Sequence, residues 1–239
     1  MSIITDKLKK IQDDVNNACV RAGRNRKNVK IIIVTKTATL PAIQEVLRHG
    51  FADLGENRVQ HLKQVSDEVG AFLKENHGKE AVPSKVHWHM IGHLQRNKVK
   101  QTLQICETIH SVDTLRLAEE INTQAHKLGI HANVLLQVNC SGEPQKYGAP
   151  VGAAIHLAEQ FDTMPNIRLT GLMTMAPLTM DKNRVRASFA RARELFEEIH
   201  GERIAGSKFK HLSMGMSQDF EIAIEEGATL LRIGSAIFS

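Results

Sequence analysis

A chain of 239 residues that is 42% hydrophobic and 24% charged holds apolar material for a sizeable core and lacks the composition of a disordered segment. Its formal charge of +5 comes with only eight Phe, one Tyr and one Trp, which argues against base-stacking nucleic-acid platforms and leaves room for an anionic small ligand. Cys19, Cys106 and Cys140 are odd in number and in no CxxC spacing, which excludes a disulfide framework or a cysteine zinc site, and no apolar run nears the ~18 residues of a membrane span.

The N-terminus "MSIITDKLKK" has no apolar signal-peptide core, so the expected location is cytoplasmic, with no membrane partner. The first predicted element is an amphipathic helix over 3–22, with Ile4, Leu8, Ile11, Val15 and Ala18 on one stripe. The bases in and after it, from Lys7 to Lys30, mix with Asp6, Asp13 and Asp14 as a solvated helix face does, so no nucleic-acid partner is expected. Strands then follow at 31–35, 51–54, 86–91, 108–112, 132–138, 167–173, 209–213 and 229–233. Helical patterns fill the intervals at 40–49, 57–75, 95–104, 114–128, 151–162, 182–199 and 217–226, several ended by glycine.

Strands joined by helices of this length imply a parallel sheet, and eight is the number that closes a barrel. The expected fold is therefore α/β, a single (β/α)8 TIM barrel with an extra N-terminal helix, as one domain over 1–239. A doubly wound open sheet is the alternative. A closed barrel has no edge strand to pair, so a monomer is expected.

Active sites of such barrels lie where strands end and βα loops begin. Here those exits carry Thr35-Lys36, Glu56-Asn57, His93 and Gln95, Asn139, Thr174, Ser213-Met214-Gly215-Met216-Ser217 and Arg232-Ile233-Gly234-Ser235. The last two are glycine turns on adjacent strands, with Ser217 expected as the N-cap of the next helix. Their position is the usual phosphate site of these barrels.

"IIIVTKTATLP", residues 31–41, drives a β-branched run into Lys36. Alone it reads as a strand-end lysine snorkelling to solvent. Opposite a phosphate cradle it suggests a carbonyl-bearing phosphate ligand held as a Schiff base, and pyridoxal 5'-phosphate fits both features. Alternation would place Lys36 on the face of Ile32 and Val34, where burial favours the neutral amine that attack on a carbonyl needs. Arg232 also ends a strand; a guanidinium only donates, so facing a pyridine nitrogen it would leave that nitrogen unprotonated and the cofactor a poor electron sink. An ion pair with a nearby carboxylate is an equal reading of Arg232. His87 and His89 share a strand face but have no further ligand motif, so no metal is expected.

Five stretches, "VTKTATLP", "GFADLGENRVQ", "HWHMIGHLQRNK", "GLMTMAP" and "HLSMGMSQDFEIAIEEGATLLRIGSAIF", closely resemble the YggS/PROSC family of pyridoxal phosphate homeostasis proteins. The resemblance runs from about residue 5 to the C-terminus. It implies a barrel like the N-terminal domain of alanine racemase, with pyridoxal phosphate on Lys36, Arg232 at the pyridine nitrogen, Asn57 near the ring, and the phosphate held by Ser213, Met214, Gly234 and Ser235. It also implies a carrier or buffer of the cofactor without established turnover, with pyridoxal-phosphate-dependent apoenzymes as recipients. Lys146, in "PQKYG", is a candidate second acceptor.

A racemase sharing fold and lysine is the enzyme alternative, but racemisation needs a second acid/base on the opposite face, and Tyr147 is the only tyrosine. A phosphate-handling barrel enzyme without pyridoxal phosphate would have to rely on Glu56 and His93. No residue is therefore expected to be catalytic.

Overall fold

Branched apolar runs and amphipathic helices alternate along the chain, and in the computed structural model, which describes residues 2–79 and 81–239, they form parallel strands inside a ring of helices. The strands are β1 (Lys30–Val34), β2 (Asp53–Glu56), β3 (His87–Met90), β4 (Thr108–Val112), β5 (Ala132–Asn139), the two-residue β6 (Ala149–Pro150), β7 (Ile167–Met173), β8 (His211–Met216) and β9 (Leu230–Ile233). The order is β4-β3-β2-β1-β9-β8-β7-β5, and pairing of β4 with β5 closes the circle; β6 hangs on β5 alone. That closure makes an eight-stranded TIM barrel, not an open sheet.

The helices are α1 (Ile3–Arg21), α2 (Leu40–Arg48), α3 (Val59–Glu75), α4 (Val99–Leu103), α5 (Leu115–Leu128), α6 (Ala154–Asp162), α7 (Lys182–Gly201), α8 (Phe220–Glu225) and α9 (Ser235–Phe238). Ser2 caps α1 by accepting from the Thr5 amide, and the stripe Leu8, Ile11, Val15, Ala18 is buried. After α1, Arg24 donates to the carbonyls of Ile224 and Ala228 at 2.8 and 2.7 Å, fixing the N-terminal helix to the α8–β9 connection.

Two differences from the sequence pattern bear on the site. β8 continues to Met216, past the expected 213, because Gly215 at φ +92° lets the strand pass α8; a Cβ there would lie 2.6 Å from that of Ala223. α8 starts at Phe220 instead of 217, because Ser217 is used elsewhere, as described below.

Most buried apolar side chains lie between strands and helices, whereas the inner apolar cluster is only Ile32, Leu135, Met173 and Leu230 with Met175 against it. Branched apolar layers normally fill a barrel of this size. Here His89, His110, Ser213 and Arg232 take much of that space, all of them buried.

Candidate functional site

The β1 exit is tied to its neighbour before it reaches Lys36. Thr35 is buried, its amide donates to Gly55 O at 3.0 Å, and its hydroxyl donates to the fully buried Glu56, whose other oxygen is 3.0 Å from His61 Nδ1. The chain then turns, with Ala38 N donating to Thr35 O at 2.9 Å. The turn breaks the strand alternation, so Lys36 is exposed and the burial expected for it on the Ile32 face does not occur. Lys30, at the other end of β1, lies 3.0 Å from Asp53; the Lys36 ammonium meets no carboxylate among the described residues.

β9 pairs with β1 so that Arg232 is opposite Ile32. The Arg232 side chain lies in the barrel interior, 3% exposed, with Nη1 donating to Ser213 Oγ at 2.6 Å and Nη2 to Thr174 O at 2.9 Å. Burial pulls its pKa down to about 10, opposed by nearby Asp219, so it is protonated at neutral pH. Asp219 is in turn pushed up by burial, against the amide of Met216 and the charges of Arg232 and Lys146.

Beyond Arg232, the β9 exit packs on the end of β1: a Cβ at Gly234 would lie 3.0 Å from Val34 O and 3.1 Å from Val34 Cβ. Ser217 does not cap α8; its hydroxyl accepts from the amides of Gly234 and Ala236 at 3.3 and 3.1 Å and shapes the turn. Ser235 opens α9, where an amide has no intrahelical acceptor. The turn thus packs on Val34, the last residue of β1, two residues before Lys36 in the chain.

The other expected phosphate residues are deeper. Ser213 is fully buried with its hydroxyl between Arg232 and His110, and the Met214 side chain belongs to the outer core. What this stretch offers a ligand is backbone, where the β8–β9 register shifts between Ser213 and Met216. Asn57 is half-buried just after β2, and the β3 exit rests on it: a Cβ at Gly92 would be 2.7 Å from Asn57 Cα.

On the β5 side, Asn139 orders its own loop by accepting from Ser141 and donating to Glu143 O at 2.8 Å. The Lys146 ammonium is committed, at 2.6 Å from both Ala176 O and Glu143. Tyr147 stacks on His93, ring centroids 4.3 Å apart.

Sequence reasoning missed His110, Asp53 and Asp219. The available signal was polar residues inside otherwise apolar strands, such as His110 in "TIHSV". His87 and His89 do not act together: His87 Nδ1 is 2.6 Å from Glu107, whereas His89 contacts Asp53 and His110. Among the described residues no three metal-ligating side chains converge on a common point.

Burial, with Lys210, Lys30 and His89 adding, pushes His211 down to about 4; burial followed by the charges of His89, Arg232 and His211 pushes His110 well below the usual imidazole range. Both folded-state values lie below the unfolded ~6.5, so stability is complete above that pH and is lost as the pH falls towards 4. The depressed carboxylates Asp53 and Glu107 titrate below this window. Between about pH 6.5 and 4.5 the thermal midpoint of the ligand-free protein should therefore fall more steeply in wild type than in His211→Asn. An equal slope in the variant would remove His211 from the account.

The family model described as "Alanine racemase, N-terminal domain" matches residues 7–239. The "Pyridoxal phosphate homeostasis protein" of Aquifex aeolicus is 38% identical over 98% of this chain and 96% of its own length. A solved structure of an unknown protein from Bifidobacterium adolescentis, 35% identical, superposes with a TM-score of 0.92 over 99% of this chain and 94% of that one. PipY of Synechococcus elongatus, solved with pyridoxal phosphate bound, is 29% identical with a TM-score of 0.82 over 99% of this chain and all of its own. The chain belongs to the family of pyridoxal phosphate homeostasis proteins, built on the barrel of the alanine racemase N-terminal domain.

Proposed function

We propose that this protein binds pyridoxal 5'-phosphate at the C-terminal mouth of the barrel, covalently attached to Lys36, and keeps or delivers it without turning over amino acids. The observation that carries this reading is an exposed, uncommitted lysine, Lys36, two residues after Val34, the residue on which the Gly234 turn packs. Pyridoxal phosphate bound in the PipY structure and the names of the curated relatives support the same cofactor.

The donor set fits the group. Lys36 supplies an amine, Ser235 and the Ser213–Met214 backbone supply N–H groups for a phosphate, Gly234, whose own amide goes to Ser217, supplies the room of a missing side chain, and Asn57 lies at the neighbouring strand exit. When bound, pyridoxal phosphate supplies an electrophilic aldehyde carbon and, in catalysts, an electron sink. Arg232 weakens the sink, because a buried guanidinium at the pyridine nitrogen has only protons to donate and holds them at neutral pH. Lys146 is engaged by Ala176 O and Glu143, so it would serve as a second acceptor only after leaving both.

Against the racemase alternative, Tyr147, the candidate second acid/base, is 56% exposed and stacked on His93. Cofactor-loaded protein mixed with a pyridoxal-phosphate-dependent apoenzyme should restore that enzyme's activity, and should not racemise amino acids above background. Racemisation at enzymatic rates, lost in both Lys36→Ala and Tyr147→Phe, would overturn the carrier reading.

A further inference from the structure

Beneath Arg232 an unbroken line of hydrogen bonds crosses the barrel, and no ligand contact proposed above requires it. Ser213 Oγ, 2.6 Å from Arg232 Nη1, is 2.9 Å from His110 Nδ1. His110 Nε2 is 3.0 Å from His89 Nδ1, and His89 Nε2 is 3.1 Å from Asp53 Oδ1, which also takes Lys30 Nζ at 3.0 Å. Lys30 and Asp53 are the first residues of β1 and β2, at the barrel floor; Arg232 is near the end of β9, at the mouth.

The proton positions in this line follow from what each group can do. A guanidinium only donates, so Ser213 Oγ accepts from Arg232 and gives its single proton to His110 Nδ1. A neutral His110 then carries its proton on Nε2 and gives it to His89 Nδ1. His89 in turn donates from Nε2 to Asp53, a carboxylate that only accepts. The reverse order would set a bare His89 Nε2 against a carboxylate held ionised by His89 and Lys30. Burial in the barrel centre keeps His110 neutral, as the direction requires.

We propose that Asp53 is a positioning residue for Arg232, acting across the barrel through His89 and His110, both held as neutral Nε2–H tautomers. Two guanidinium nitrogens are committed to Ser213 and Thr174 O, which fixes the plane of the group and leaves its remaining donors aimed by the chain. Through that plane Asp53 governs the alignment of Arg232 with the cofactor ring. This functional half rests on the pyridoxal phosphate reading; the tautomers do not.

The first arm of the test uses ligand-free protein labelled with ring-15N histidine, with His89→Gln and His110→Gln assigning the signals. Both rings should show a bare Nδ1 and a protonated Nε2. A protonated Nδ1 or an imidazolium at either position overturns the proposal. The second arm measures pyridoxal phosphate binding to Asp53→Leu and His110→Phe. Loss of the tie should weaken binding on the order of tenfold and displace the visible absorption band, with Lys36 still trapped by borohydride. Unchanged affinity and band position in a folded variant would contradict the positioning role. If neither variant folds, the tautomers decide; if wild-type protein takes no pyridoxal phosphate, the proposed function fails while the tautomer result stands.

Discussion

Gly171→Ala is expected to destabilise the fold by roughly 3 kcal/mol, the upper end of the range for overpacking, which lowers the thermal midpoint by about 6–12 °C. The reason lies in a bulge. β7 pairs with β5 as Leu169 opposite Val134 and then Gly171 opposite Leu135, so Thr170 is the extra residue. The Thr170 hydroxyl donates to Val134 O at 3.0 Å, and Thr170 O accepts from Lys210 N at 3.0 Å, pinning β7 between its neighbours. At φ +155°, a Cβ on Gly171 would overlap the carbonyl oxygen of His211 and lie 2.6 Å from its carbon. Those atoms are backbone of β8, so relief must move the strand that carries Ser213 and with it the partner of Arg232. Pyridoxal phosphate binding should weaken along with stability. Gly152→Ala, at a position with nothing within 4 Å, is the control. Denaturant unfolding checks both, and a Gly171→Ala protein within about 1 kcal/mol of wild type would contradict the bulge account.

Lys36→Ala has the larger functional effect and almost no structural one. Lys36 is exposed and unpaired among the described residues, so its loss should change stability by no more than about 0.5 kcal/mol. Cofactor retention should collapse, because the other contacts proposed for it, from Arg232, Asn57 and the β8 and β9 exits, would be non-covalent. An affinity loss on the order of 100-fold, or about 2.8 kcal/mol, is expected together with loss of the visible band. Lys36→Arg separates charge from nucleophilicity: it keeps the cation but has no amine that can attack a carbonyl, so it should behave like the alanine variant. Gel filtration of loaded proteins followed by absorption spectra gives the comparison.

The barrel was readable because its strands are short runs rich in branched apolar residues such as "IIIVT" and "ANVLLQV", separated by amphipathic helices whose burial stripe repeats in the sequence. Less readable was anything that depends on which neighbour a residue meets. Ser217 has the composition and position of an N-cap, yet its hydroxyl serves the amides of Gly234 and Ala236 on the next connection. Lys36 follows the parity of Ile32 and Val34 along the chain, but the Thr35–Ala38 turn ends that parity one residue earlier. Asp53, His89, His110, Ser213 and Arg232 come from five strands, and only strand register brings them into a line. Each one alone looks like an isolated polar residue. The same limit explains His87 and His89, which share alternation but have different partners.

The most direct test of the account is the site of attachment. Wild-type protein loaded with pyridoxal phosphate, reduced with borohydride and digested should yield one modified peptide, with the label on Lys36. A label on Lys146 or another lysine with Lys36 unmodified, or no label at all, would contradict it.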